Sequence, residues 1–232
     1  ELRKKSGQYF LYAFGEIVLI VLGILIALQV SEWNQERKER VEERLLLTRL
    51  SGELEINEEQ LSTFLRGMDG KEKGLERVYS AFKGEPIKDD SQFLQDVVLG
   101  SLWGWTVQPL QRMVFDEMNN TGNLALIRDP ELRDQIARVY NNTERWEGTA
   151  EVRTGEYARL SYELVPRQSE SRVKEGLSVQ EQEELVAAVL GSDLKRMIIY
   201  EQNRVSYLKP FWRQLEADVK ELNAEIETYL TN

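Results

Sequence analysis

From Tyr9 to Val30 the chain reads YFLYAFGEIVLIVLGILIALQV, a run in which Glu16 is the only acidic or basic side chain. As a helix rising 1.5 Å per residue it reaches roughly 33 Å, enough to cross the hydrocarbon core of a bilayer. The remainder of the chain is unlike it: 30% of the 232 residues are charged and the net charge is −10. Tyr9, Phe10 and Tyr12 place an aromatic belt at one end of the run, and Trp33 follows the other. The run is too long for a signal peptide and no small-residue cleavage site follows it. The sequence predicts one transmembrane helix over residues 9–30, a short tail over 1–8 and an extramembrane domain over 31–232.

Flanking charge sets the orientation. Arg3, Lys4 and Lys5 crowd the N-terminal side, whereas Arg37, Lys38, Arg40 and Arg44 are interleaved with Glu32, Glu36, Glu39, Glu42 and Glu43. The denser cationic cluster next to the membrane predicts a cytoplasmic N-terminus and a translocated C-terminal domain.

Within the span, Tyr12, Glu16, Leu19, Gly23 and Ala27 fall on one helical face at 100° per residue. Gly23-x-x-x-Ala27 is a small-xxx-small pair that lets a second helix approach closely. A carboxylate inside lipid is expensive unless it finds a partner. Three roles for Glu16 follow: an ion or proton site where several copies meet, an interfacial group bonded to Tyr12 or to backbone, or part of a docking stripe for a partner's helix.

The soluble portion reads as all-α, with the span continuing into an elongated antiparallel helical bundle. No alternating strand pattern persists. Leu47, Leu50, Leu54, Asn57, Leu61, Phe64 and Met68 follow a 3-4 spacing, the seam of a helix packed along another. Asn57 is the polar member, either a contact fixing register with a partner or a partly exposed position at a bundle edge. Long helices are predicted near 31–67, 130–164 and 193–230. Gly67, Gly70 and Gly74 suggest a break, followed by a short helix ended by Gly84 and Pro86. Ser91 is read as the cap of the next helix, and Pro109 as the start of one ending at Thr121-Gly122. Asp129-Pro130 reads as N-cap and first helical residue, and Ser178-Val-Gln-Glu181 as a capping box. The segment SLWGWTVQP (101–109) is irregular; its Trp103 and Trp105 either pack under a loop or offer an extramembrane contact surface.

Absent residues exclude much chemistry. With no cysteine and no histidine there is no disulfide, thiolate, imidazole base or Cys/His zinc site. Phosphate-binding glycine loops and a nucleophile elbow are missing. Acidic pairs such as Asp89/Asp90 and Glu183/Glu184 read as solvated surface, and an acidic chain without a basic patch does not suit nucleic acid. The expectation is a non-enzymatic protein without cofactor or metal.

Two stretches, GEIVLIVLGILIALQVSEWNQERKER and FDEMNNTGNLALIRDPELRDQIARVY (Phe115 to Tyr140), resemble a family of single-pass bacterial membrane proteins of Bacteroidetes and their relatives. That family opens with a pattern similar to GEI-x-L-x-x-x-GILIALQ-x-x-x-WN. The resemblance implies a single-pass architecture in the inner membrane with a periplasmic domain; it implies no activity. The expected function is that of an accessory or scaffold subunit held by other integral membrane subunits. The alternatives are a homo-oligomer with a Glu16 ring that conducts or couples ions, and an envelope ligand sensor.

Overall fold

No proline separates the apolar run from the charged stretch after it, and in the computed structural model the two form one helix, α1, spanning Leu2–Phe82. At 1.5 Å per residue it is about 120 Å long. The structure describes residues 2–101, 110–150, 156–165 and 176–231, with backbone alone for 2–13, 15 and 143–150. Described side chains from Phe14 to Lys38 are all exposed; the bundle begins where Glu43, Leu46 and Leu47 become buried.

The predicted break at Gly67, Gly70 and Gly74 does not occur. A glycine inside a helix costs about 1 kcal/mol, and burial of Phe64, Met68, Leu75 and Val78 around and between the three outweighs that. At Gly74 the missing side chain is used: a Cβ there would lie 3.3 Å from Asp96 Oδ1 and 3.6 Å from its Cα. The helix ends on its last seam residue, Phe82, and Gly84 follows at φ 96°, where the Glu85 N–H returns to the Ser80 carbonyl (3.1 Å). Gly67 has no such neighbour, since a Cβ would meet nothing within 4 Å. Gly67→Ala is therefore expected to raise stability by about 0.5–1 kcal/mol in denaturant melts; a loss would mean that the site is covered.

The following helices are α2 (Asp90–Ser101), α3 (Met113–Thr121), a 3-10 turn (Asn123–Leu126), α4 (Pro130–Ala150), α5 (Glu156–Leu164), α6 (Val179–Leu190) and α7 (Leu194–Thr231). No strand occurs among the described residues. Asp89, not Ser91, caps α2, its Oδ1 accepting from the Gln92 N–H (3.0 Å). Asp129 caps α4 through the N–H groups of Glu131 and Leu132, and the Ser178/Glu181 capping box closes in both directions. Pro109 lies outside the described residues, and α3 starts at Met113. Gly122, at φ 77°, ends it.

α7 runs antiparallel to α1 along its whole length and is continuous through Pro210. Contacts climb one helix as they descend the other: Arg44 to the Leu230 carbonyl, Ser51 to Asn223, Glu58 to Lys220, Phe64 to Trp212, Lys71 to Glu201, and the Phe82 carbonyl to Lys195. The rod predicted near 130–164 is described as two helices, α4 packing on α7 and α5 packing on α2 and α7. Between them lies one apolar core, including Leu47, Leu50, Leu54, Ile136, Leu215 and Leu222.

Candidate functional site

Glu16, Leu19, Gly23 and Ala27 lie on one face of α1 and are all exposed; Leu19 is 72% exposed. None of the described side chains of this apolar stretch is buried against the chain, and the helix is long and apolar enough to cross a membrane. A Cβ added at Gly23 would meet nothing within 4 Å, so the notch beside Ala27 is open. Tyr12 belongs to the same face by helical register; its side chain is outside the described set. Trp103 and Trp105 lie outside the described residues altogether.

Asn57 is neither an external contact nor an edge position. It is 2% exposed and grips the backbone of Gln111, donating to the carbonyl (2.8 Å) and accepting from the N–H (2.6 Å). This satisfies two backbone groups just before α3, where no helical partner exists for them. The reason it escaped a sequence reading is that its partner is a main-chain amide 54 residues away.

Asn57 has relatives along the same helix. Glu43 accepts from the Tyr229 hydroxyl and from the Arg128 N–H, both at 2.8 Å. Glu53 accepts from the Tyr140 hydroxyl (2.6 Å) and the Val114 N–H (2.7 Å), while Tyr140 stacks flat on Phe115. Burial and the adjacent Glu53 carboxylate hold the Tyr140 phenol well above its usual range. Lys71 donates to Glu201 (3.0 Å), with both side chains almost fully buried and Arg204 3.7 Å from the same carboxylate. Burial pushes the Lys71 ammonium down to about 8, against the upward pull of Glu201. Asp96, also buried, accepts from Nε and Nη2 of Arg77 and from the Gln92 side-chain amide. Each group is bonded within the chain, so these pairs act as braces that set the heights of α2, α3, α4 and α7 along α1.

Open clefts occur among the described residues. One of about 470 Å³, between the end of α1 and α2, is lined by Lys73, Arg77 and Lys88 against Glu76, Asp89 and Asp96. A second of about 510 Å³, between the start of α4 and the end of α7, carries Asp129, Glu131, Glu221 and Glu225. No trio of acidic side chains is close enough to hold a metal ion among the described residues. No family model, curated protein or solved structure matches the chain. Among the described residues, the open face of α1 is an extended feature left without an intramolecular role.

Proposed function

We propose that this protein is a non-enzymatic, single-pass membrane subunit that docks onto other integral membrane subunits through the Glu16/Leu19/Gly23/Ala27 face. Its N-terminus is cytoplasmic and its bundle stands on the far side of a bacterial inner membrane. The observation that carries the reading is the complete exposure of described side chains from Phe14 to Lys38. Lipid can cover the apolar side chains but does not reward a Gly/Ala notch next to a carboxylate; a close-packed helix does. A partner hydrogen-bond donor facing Glu16 would offset the penalty of placing that group in the bilayer.

Gly23→Ile fills the notch without touching the bundle. It is expected to reduce recovery of co-purifying membrane subunits from mild detergent by about ten-fold, the equivalent of roughly 1.4 kcal/mol. The circular dichroism melt of the bundle should not move. Unchanged recovery removes this face as the docking site. Particles containing only identical copies would instead favour the Glu16 ring, and Glu16→Gln should then abolish ion coupling.

A further inference from the structure

Beyond the bilayer the same face of α1 continues unpartnered. Taking 100° per residue from Val41, Glu16, Leu19, Gly23, Ala27, Val30, Asn34, Leu45, Thr48, Gly52 and Ile56 all fall within roughly 60° of one direction. The core seam of α1 points the opposite way. On this outward line Val41 is 64% exposed and Leu45 59%, outside any lipid, and a Cβ at Gly52 would meet nothing within 4 Å.

Charge around this part of α1 is sorted by side with one exception. Arg37, Lys38, Arg40 and Arg44 fall within roughly 100° of Val41, flanking the line on both edges; Glu42 shares that range at its roughly 100° margin and accepts from the Asn123 amide at 3.5 Å. Glu32, Glu36, Glu39 and Glu43 lie within about 40° of the opposite direction. Arg37 and Lys38 are exposed and make no ion pair with any described residue; Arg40 reaches Glu36 only at 3.8 Å, and Arg44 donates to the Leu230 carbonyl at 3.2 Å. A solvated stalk stabilised by its own i,i+4 pairs has no need of such sorting.

The geometry points to one occupant: the partner's transmembrane helix continues out of the bilayer beside α1, and its first few turns carry Asp and Glu facing Arg37, Lys38, Arg40 and Arg44. This rests on the docking reading above and adds the partner's chemistry to it. A second parallel copy does not fit, because it would set the four cations against themselves at matching heights. Anionic headgroups do not fit either. The headgroup layer adds about 5–7 Å beyond the hydrocarbon, whereas Arg37 lies about 10 Å and Arg44 about 21 Å past Val30 along the helix.

The test uses the full chain in its native membrane with a photo-crosslinking amino acid at Val41, at Leu19 in the span, and at Glu32 on the opposite side as control. The Val41 probe is expected to give an adduct, absent from the Glu32 probe, with a net-acidic peptide lying within about twenty residues of a partner's membrane span. The double variant Arg37→Glu/Lys38→Glu should cut the Val41 adduct about ten-fold, from reversal of several charge pairs of a few tenths to 1 kcal/mol each, while the Leu19 adduct is kept. Adducts at Val41 with phospholipid only, with an identical chain, or with a basic or uncharged peptide overturn the inference, as does a yield no higher than at Glu32. A Leu19 adduct with a partner span alongside failure at Val41 leaves the docking reading standing and removes only this one. Failure at both removes both.

Discussion

Replacing Glu201 with leucine is expected to lower the stability of the folded chain at pH 7 by about 3–5 kcal/mol, the loss typical of removing one member of a buried ion pair. The substitution leaves the Lys71 ammonium, itself almost fully buried, without the carboxylate 3.0 Å away. Arg204 stays close but exchanges no attraction with a leucine. The double variant Lys71→Met/Glu201→Leu, which removes both charges and keeps apolar volume, should recover most of the loss. Chemical denaturation of the full chain in detergent, followed by far-ultraviolet circular dichroism, measures both. A loss under about 1 kcal/mol for Glu201→Leu would mean that water reaches the pair.

The same pair sets a pH dependence with a definite sign. Lys71 titrates at about 8 in the folded chain against 10.5 when unfolded, so between these values the unfolded chain binds the additional proton. Stability contributed by this group therefore rises as pH climbs through 8 toward 10.5. Tyr140 and Tyr157 act oppositely above pH 10, because burial raises both phenols and the unfolded chain loses those protons first. Relative to Lys71→Met, the native chain should gain roughly 2 kcal/mol between pH 8 and 10. A flat difference across that interval would contradict the burial of Lys71.

Gly100→Val is the second substitution with a large expected effect. A Cβ at Gly100 would stand 2.5 Å from the Tyr157 hydroxyl, 2.7 Å from Leu75 Cδ2 and 2.9 Å from Tyr157 Cε1. Tyr157 and Leu75 are both fully buried, and the Tyr157 hydroxyl donates to the Val97 carbonyl at 3.0 Å. Valine must push α2 and α5 apart or break that bond. Overpacking of this kind costs about 1–3 kcal/mol, and the stranded polar groups add about 1–3 more. The expected loss of about 3 kcal/mol would appear in the same denaturation experiment; a loss no larger than that of a surface valine would show that α5 does not pack there.

The apolar span and the Leu47-to-Met68 seam were legible because both are periodic over many turns. The seam in fact runs further: Glu43, Leu47, Leu50, Leu54, Asn57, Leu61, Phe64, Met68, Lys71, Leu75, Val78 and Phe82 keep the 3-4 spacing through all three glycines. Its polar members, Glu43, Asn57 and Lys71, recur at every second heptad, and each is buried and bonded. That spacing was the available signal for the long helix and for two of the braces. It was obscured because charged residues at seam positions read as a solvated face, and because glycine reads as a break where no neighbour is known. The caps at Asp129 and Ser178 were legible since their partners lie within three residues; the cap of α2 was displaced by two, Asp89 and Ser91 being equally good acceptors in isolation.

What the linear order of residues determined is everything governed by local periodicity: a helix greasy enough for lipid, an all-α remainder, the seam facing inward and the small-residue face beside Glu16. Tertiary structure decided which polar groups are braces. Gln111, Tyr229 and Glu201 meet Asn57, Glu43 and Lys71 across 54, 186 and 130 residues, and whether a buried charge is tolerated depends on a partner that only the folded chain brings within 3 Å. It also decided which outward face of α1 stays uncovered, because exposure is a property of what the other helices leave unpacked.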